Sequence, residues 1–161
     1  MRLTTQNPSV ELRVLCERNA DSIHSLIQQN REHLTQRGDY EDLVAASIEE
    51  LRSELAGDDR STQFGTFLDG ALVGNVTLIR HQPTVYGLGY WISGEHAGCG
   101  IMTDSIRAVA GYATNLGASE IWAGITPSNA RSIRLVERLG FELARTQDTH
   151  LSYRLTLAGG I

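Results

Sequence analysis

The sequence predicts one mixed α/β domain whose sheet is mostly antiparallel, and three observations lead to that prediction. Apolar residues alternate with polar ones over 9–15, three strand-like segments separated by turn signals occupy 64–93, and two later strands each pass through a short loop into a helix. With 161 residues, the chain has the size of one ordinary domain and can bury a core without disulfides. We therefore expect a single domain over 1–161, ending in a frayed tail at 158–161.

The N-terminal third predicts one strand followed by two helices. The alternation over 9–15 is typical of a half-buried strand. Asn19 is a typical helix N-cap, and apolar residues recur after it at helical spacing until about residue 31. Apolar residues at spacings of three, four and seven predict a second helix over 43–55, which Gly57 ends.

The middle of the chain predicts three antiparallel strands, at 64–68, 72–79 and 85–93. An Asp-Gly pair between the first two is the two-residue turn signal of a β-hairpin, and a proline lies in the next turn. Two glycines interrupt the third of these strands. A glycine inside a strand often marks the close approach of another backbone or of a ligand.

The C-terminal half predicts two strand–loop–helix units and a closing pair of strands. In order along the chain, its segments are the glycine-rich loop 94–100, the helix 101–113, the strand 119–125, the helix 129–139 and the strands 141–145 and 151–157. The predicted order is therefore β-α-α-β-β-β-α-β-α-β-β, with no internal repeat.

Composition and charge exclude several classes of function. The formal net charge is −5 and basic residues form no run, which argues against nucleic-acid binding as the main function. No apolar run of about 18 residues and no signal-peptide pattern is present, so we expect a cytoplasmic protein with no membrane partner. Cys16 and Cys99 do not have metal-ligand spacing, so we expect free thiols and no metal.

The glycine-rich loop before the helix over 101–113 is the first candidate for chemistry. The N–H groups in the first turn of a helix lack partners and lie at the positive end of the helix dipole, so such a junction binds anions. Gly98 and Gly100 would let the backbone approach a phosphate, and the hydroxyl of Thr103 would add a donor. The alternative is a tight strand-to-helix connection without a ligand. No Gly-Lys-Ser/Thr follows, so the loop is not a nucleotide P-loop.

This loop and a later segment together resemble one known family. The two segments are YWISGEHAGCGIMTDSIRAVAGYA and SNARSIRLVERLGFE, and with the element order of the whole chain they resemble the GNAT family of acetyl-coenzyme-A-dependent N-acetyltransferases. Within that family the chain looks most like the RimJ/RimL-like branch, which acetylates ribosomal-protein N-termini, and its small-molecule relatives. The resemblance implies a sheet of six or seven strands flanked by about four helices and splayed between the fourth and fifth predicted strands.

The resemblance also implies acetyl-coenzyme A as the co-substrate. Main-chain groups of the fourth strand would pair with the pantetheine arm, and N–H groups of the glycine-rich loop would hold the pyrophosphate. Asn129 would contact the cofactor near the thioester, and Ser132 would lie near the sulfur. Asparagine is also a favoured N-cap, so we expect Asn129 to cap its helix as well. The cofactor-binding residues implied in this way are Trp91, Ile92, Ser93, Gly98, Cys99, Gly100, Ile101, Met102, Thr103, Asn129 and Ser132.

Three positions depart from the family pattern. Ala97 stands where the family usually has Gln or Arg, and Met102 is bulkier than the usual Gly or Ala. Val136 stands where many members have the tyrosine that protonates the leaving thiolate. Ser132 is then the natural catalytic acid, through its hydroxyl or a held water; the alternative is a solvated first-turn hydroxyl.

An ammonium acceptor must lose a proton before it attacks, so the reaction also needs a base. No spacing rule selects one. The candidates are Glu95, Asp148, His150, His81 and Asp39. His150 is kept among the catalytic candidates, although a histidine near a terminal strand is more often a surface residue.

The implied reaction is direct acetyl transfer to a primary amine in a ternary complex, without an acyl-enzyme. The acceptor would be a small amine such as an antibiotic, a polyamine or an amino-acid derivative, or else a peptide N-terminus. We expect its specificity to lie in residues 19–60 and in the final hairpin. The segment HLTQRGDYEDL lacks the tryptophan of many ribosomal-type relatives, which argues against a ribosomal-protein acceptor.

Two other classes of function stay open. A catalytically silent domain that binds coenzyme A or a protein as a sensor is motivated by Ala97, Met102 and Val136. A nucleotide-binding α/β domain would be stabilised by ATP and not by coenzyme A. The exposed edge strand expected at the C-terminus is compatible with a homodimer.

Overall fold

The computed structural model describes residues 1–158, so of the tail predicted at 158–161, residues 159–161 lie outside the described part. The strands are β1 (Arg2–Thr4), β2 (Val10–Val14), β3 (Ser61–Leu68), β4 (Ala71–Gln82), β5 (Val85–Ile92), β6 (Glu120–Ile125), β7 (Glu142–Thr146) and β8 (Leu151–Thr156). The α-helices are α1 (Ala20–Gln29), α2 (Arg31–Thr35), α3 (Glu41–Ala45), α4 (Ile48–Ala56), α5 (Ile101–Asn115) and α6 (Ala130–Arg138). Two short 3-10 helices, Glu17–Asn19 and Gly94–His96, precede α1 and α5.

The eight strands form one sheet in the order β1-β2-β3-β4-β5-β6-β8-β7. Every neighbouring pair is antiparallel except β5 and β6, which are parallel. The prediction of a mixed, mostly antiparallel α/β sheet is confirmed, but six or seven strands was too low a number. The additional strand is β1, in which Leu3 pairs with Leu12. Three residues are too few to show an alternating pattern.

The sheet opens between β5 and β6, which correspond to the fourth and fifth predicted strands, as the resemblance implied. Their parallel pairing extends only from Val85–Glu120 to Leu88–Ala123. The rest of β5, residues 89–92, pairs with β4 on one side and, within residues 1–158, with no strand on the other. The carboxyl end of β5 therefore has free main-chain groups along a gap in the sheet.

The second predicted helix, 43–55, is two helices in the structure. α3 ends before Ala46, which is extended with φ −65° and ψ 136°. Ser47 then caps α4, because its hydroxyl accepts a hydrogen bond from the Glu50 N–H at 3.1 Å. The apolar spacing did not reveal this break, because side chains from both helices pack into the same cluster.

The first predicted helix differs at both ends. The Asn19 side chain accepts a hydrogen bond from the Cys16 N–H at 2.8 Å, so it stabilises the preceding 3-10 turn and does not cap α1. At the other end, the pattern expected to fade near residue 31 continues as α2 after an irregularity at Asn30. The described part therefore has six α-helices where about four were predicted.

Two clusters of buried side chains cover the two faces of the sheet. One joins the strands to α5 and α6 and includes Phe64 and Val136. The other packs α1, α2, α3 and α4 against Trp91. Tyr90 packs against the first cluster, so these neighbouring aromatic residues point to opposite faces, as alternation along a strand requires.

The surface of the described part has two relevant properties. No helix within residues 1–158 combines the length and the apolar character that crossing a membrane requires. The edge strand β7 is exposed along its whole length. A homodimer formed through this edge stays a prediction.

The core assignment can be tested at Phe64, which is fully buried and packs edge-on to Tyr112 with ring centroids 5.4 Å apart. We expect Phe64→Ala to lower the free energy of unfolding by about 3–5 kcal/mol, because it removes buried contacts and leaves a cavity. Urea denaturation measures this loss. Leu143→Ala is the control, since Leu143 is 52% exposed, and we expect it to change stability by less than about 0.5 kcal/mol. Equal losses would contradict the assignment.

Candidate active site

A cleft lies where the sheet opens, bounded by the carboxyl end of β5, the first turns of α5 and α6, and the segment that joins α2 to α3. Each boundary has a local cause. The end of β5 is no longer paired with β6. Helices α5 and α6 each begin directly after a loop that follows a central strand. The opening therefore brings unpaired main-chain groups of a strand and of two helix N-termini to one place.

The glycine-rich loop has the geometry of an anion-binding turn. Gly98 and Gly100 have φ angles of +79° and +81°, which side chains disfavour. The first hydrogen bond within α5 runs from the Asp104 N–H to the Gly100 carbonyl at 3.1 Å. The N–H groups of residues 101–103 precede that bond and are available to a ligand.

Met102 does not obstruct this turn. Its side chain is only 5% exposed and belongs to the core cluster formed with the strands. The Met102 side chain, which is larger than the usual Gly or Ala of the family, is therefore packed mainly inside the protein. Ile101, also 5% exposed, is buried in a small cluster with Val10 and Val73.

Arg131 brings a positive charge to the loop from α6. A Cβ atom built on Gly98 would lie 3.8 Å from the Arg131 Cζ, so the guanidinium group lies directly over this glycine. Arg131 was not among the residues predicted from the sequence, because the family pattern has its polar or charged side chain at the position of Ala97. The signal available in the sequence was an arginine two residues after the helix-capping Asn129.

The cleft is cationic. Arg37, Arg131 and Arg138 line it, and among the described residues that line it Asp39 is the only carboxylate. Burial lowers the pKa of His33, and the charges of Arg131 and Arg37 lower it further. A cavity with this charge favours an anionic ligand.

Ser132 and Tyr90 form a pair across the opening. The Tyr90 Oη and the Ser132 Oγ are hydrogen-bonded, and either oxygen can be the donor. The Asn129 Oδ1 accepts a hydrogen bond from the Ser132 N–H at 3.2 Å, so Asn129 caps α6 as expected. Burial raises the pKa of Tyr90 to about 12, opposed by the bond to Ser132. The phenol is therefore protonated at neutral pH.

The segment between α2 and α3 is fastened over the gap by two hydrogen bonds. The Tyr40 hydroxyl donates to the Tyr90 carbonyl, one of the main-chain groups left free by β6. The Thr126 hydroxyl, just after β6, donates to the Asp39 carboxylate. Tyr40 has a φ of +60°, a conformation uncommon for a side-chain-bearing residue. These bonds hold Asp39 in the cleft that Tyr90 and Ser132 also line.

A second cavity lies behind Tyr40, Tyr90 and Trp91, which line both cavities. Its other walls come from α1, α3, α4 and strands β3 to β5. Its described lining includes the carboxylates Glu54 and Asp58 and no lysine or arginine. Three of the four α-helices in the region expected to select the acceptor, 19–60, thus contribute to this cavity, but no described residue of the final hairpin lines either cavity.

The structure brings most of the predicted site residues together and leaves three apart. Ser93 is 4% exposed, and its hydroxyl is bound to the His96 Nδ1 at 2.7 Å. Cys99 is an exposed free thiol that points back to the Ala97 carbonyl. His150 packs near Gly124 and bonds to Thr149. The predicted residues that line the cleft are Trp91, Ile92, Gly98, Gly100, Ile101, Met102, Thr103, Asn129 and Ser132.

Only one of the five candidate bases lies in the cleft. Asp39 lines it, whereas Glu95, Asp148, His150 and His81 are not among its lining residues. His81 instead packs against Gly87, in the part of β5 that is still paired with β6. Of the five candidate bases that the sequence left open, the geometry therefore favours Asp39.

Comparisons with known proteins agree with the fold. A family model described as an acetyltransferase (GNAT) domain matches residues 9–142. A probable N-acetyltransferase of Bacillus subtilis, YjcK, is 38% identical over 100 residues, which cover 58% of this chain and 55% of the relative. The chain thus matches about half the length of that relative.

Solved structures of similar fold include several acetyltransferases. The ribosomal L7/L12 α-N-protein acetyltransferase RimL in complex with coenzyme A has a TM-score of 0.85 at 18% identity, over 99% of both chains. The Salmonella typhimurium acetyltransferase that modifies the N-terminal serine of L7/L12 has a TM-score of 0.81 at 21% identity, over 98% of this chain and 100% of the other. Aminoglycoside acetyltransferase AAC(6')-Ib with coenzyme A has 0.75 at 20%, over 92% and 95%. At these identities the likeness establishes the fold.

The cationic character of the cleft can be tested through His33. We expect Arg131→Gln to raise the pKa of His33, because removing a nearby positive charge makes the imidazolium form less costly. An NMR titration of the histidine ring protons measures the shift. Arg134→Gln, on an exposed part of α6 outside the cleft, is the control and should leave the pKa of His33 unchanged. The same pKa in both variants would show that Arg131 does not face His33.

Proposed function

Because the chain belongs to the GNAT acetyltransferase domain family, we propose that it transfers an acetyl group from acetyl-coenzyme A to a primary amine on a small molecule or at a peptide N-terminus. The observation that carries this proposal is the convergence of the glycine turn, Arg131 and the Tyr90–Ser132 pair at the opening between β5 and β6. We propose that residues 1–161 form a single domain and that this site belongs to it.

The residues of the cleft fit the chemistry of coenzyme A. A diphosphate needs several N–H donors and positive charge, which residues 101–103 and Arg131 supply. The pantetheine arm carries amides. The main-chain groups of residues 89–92 that face the gap, other than the Tyr90 carbonyl bound by Tyr40, are suitable partners for them. The glycine turn, the strand edge and Ser132 would therefore hold the phosphates, the arm and the thioester, respectively.

When bound, acetyl-coenzyme A supplies a thioester, which an uncharged amine attacks directly. The leaving sulfur then needs a proton, and Ser132 is proposed to donate it from Oγ. Val136, where many family members have a tyrosine, is fully buried in the core and has no proton to give. Asn129 holds Ser132 in place through the Ser132 N–H. This assigns the acid to the first turn of α6.

The acceptor amine is proposed to approach from the second cavity and to meet the Asp39 carboxylate. An amine is an ammonium ion at neutral pH and is attracted by a carboxylate. Asp39 lines the cleft next to Tyr40, which lines both cavities. Thr126 orients its carboxylate, which would accept the proton that the ammonium must lose. The two carboxylates of the second cavity favour a cationic acceptor in the same way.

A catalytically silent coenzyme A sensor is the competing function. It was motivated by Ala97, Met102 and Val136. Arg131 provides the charge that Ala97 lacks, and Met102 is packed in the core. Ala97 and Met102 therefore no longer favour a silent domain. The enzyme is therefore the better-supported proposal.

The deciding experiment incubates the protein with acetyl-coenzyme A and a panel of amines and peptides, and follows free thiol release. Mass spectrometry then looks for acceptors that gain about 42 daltons, the mass added by acetyl transfer to an amine. Thiol release together with an acetylated product supports the enzyme. Tight binding of coenzyme A with no product from any acceptor would support the sensor, and stabilisation by ATP alone would support a nucleotide-binding domain.

The glycine turn is tested by Gly100→Val. A Cβ atom here would meet no protein atom within 4 Å, but a valine side chain would keep a ligand away from the turn, at a φ of +81°. We expect the Kd for coenzyme A, measured by calorimetry, to rise about tenfold or more. Gly117→Val is the control, because Gly117 follows the same helix with a φ of +89° and equally open surroundings. The assignment fails if both variants bind equally well.

Asp39 is tested by Asp39→Asn, which keeps an oxygen for the Thr126 hydroxyl and removes the charge. We expect the KM for the amine to rise about tenfold, because a charged hydrogen bond contributes about 1.5–3 kcal/mol. The KM for acetyl-coenzyme A should stay unchanged. Asp42→Asn, on the exposed surface of α3, is the control. A parallel loss for both substrates would assign Asp39 a structural role.

A further inference from the structure

Tyr90 is the one described residue that lines both cavities and bonds to the proposed acid. Its hydroxyl is hydrogen-bonded to the Ser132 hydroxyl. We propose that Tyr90 is a second catalytic residue, which passes a proton from the acceptor nitrogen to Ser132 as Ser132 passes its own proton to the leaving sulfur. This inference rests on the proposed acetyl transfer.

The backbone holds Tyr90 firmly in this position. On one side it pairs with Val76 of β4. On the other side, where β6 has moved away, its carbonyl accepts a hydrogen bond from the Tyr40 hydroxyl. With both sides bound, the phenol needs no movement to reach Ser132, and this removes the entropy cost of bringing the two hydroxyls together.

The hydrogen-bond inventory gives the relay its direction. A serine hydroxyl donates one hydrogen bond and accepts up to two. Asn129 binds the Ser132 main-chain N–H and leaves the hydroxyl free. If Tyr90 donates to Ser132, the Ser132 proton is available to the sulfur. If Ser132 donated to Tyr90 instead, the free proton would be on Tyr90, and Ser132 could not donate to the sulfur.

The proton count closes without any further reactant. Once Asp39 has taken the first proton and the amine is uncharged, the new amide N–C bond forms and the C–S bond breaks, so nitrogen loses one further proton and sulfur gains one. Tyr90 Oη receives the nitrogen proton and gives its own to Ser132 Oγ, which gives its own to the sulfur. Both hydroxyls end as they began. Burial keeps the Tyr90 phenol protonated at neutral pH, which suits a group that must start as a donor.

Turnover tests the relay through Tyr90→Phe and Ser132→Ala. We expect each variant to lower kcat about 100-fold, the usual effect of losing a general acid or base, with little change in the KM for acetyl-coenzyme A. The double variant should be no slower than either single variant, because the two hydroxyls act as one unit. Multiplicative losses would overturn the relay.

Tyr86→Phe is the matched control. Tyr86 lies on the same strand and the same face as Tyr90 and is buried, but it lines neither cavity. It loses the same hydroxyl, so any general effect of the substitution on folding appears in it as well. We expect the wild-type kcat for this variant. A kcat as low as that of Tyr90→Phe would overturn the assignment.

A readout without turnover separates the relay from the proposed function. The thiolate absorbance of bound coenzyme A reports the pKa of its thiol, and a donor pair aimed at the sulfur lowers that pKa. We expect Tyr90→Phe and Ser132→Ala to raise it, and Tyr86→Phe to leave it unchanged. No change in Tyr90→Phe would overturn the relay even in an active enzyme. Wild-type protein that shows the lowered pKa but acetylates nothing would overturn the acetyltransferase proposal and support the donor pair.

Discussion

The separation of β5 from β6 after four parallel residue pairs is the constraint on which the candidate site depends. A buried strand edge without a partner is costly, because its N–H and C=O groups must find other hydrogen bonds. Here one of those groups is satisfied by the Tyr40 hydroxyl, and the others face a cleft. The gap thus creates a binding surface, and the segment between α2 and α3 is hydrogen-bonded across it.

The same gap divides two regions of opposite charge. The cleft contains three arginines and a single described carboxylate, whereas the described lining of the cavity behind it has carboxylates and no arginine or lysine. Tyr40, Tyr90 and Trp91 form the shared wall. An anionic co-substrate and a cationic acceptor would therefore be drawn to opposite sides of the reacting atoms. The hydrogen-bonded Tyr90–Ser132 pair links the two sides.

Predictions from the sequence succeeded where the physical cause is local. The left-handed turn at Gly98 and Gly100 and the cap at Asn129 each depend on a few consecutive residues, so their pattern was readable. Predictions failed where the cause was distant in the chain. Arg131 lies over Gly98 although 33 positions (131 − 98) separate them in the chain. Tyr90 meets Ser132 only because the sheet opens between them.

The sequence by itself determined the fold class, the order of most elements and the position of the left-handed glycine turn, because alternation, helical spacing and glycine act over short stretches of chain. The tertiary structure decided that α3 and α4 are separate, that β1 adds an edge strand, and that Asp39 alone of five candidate bases lies in the cleft. The tertiary structure also brought the Tyr90 hydroxyl into a hydrogen bond with the Ser132 hydroxyl. These features depend on contacts between residues far apart in sequence, and composition and periodicity carry no information about which distant side chains will meet.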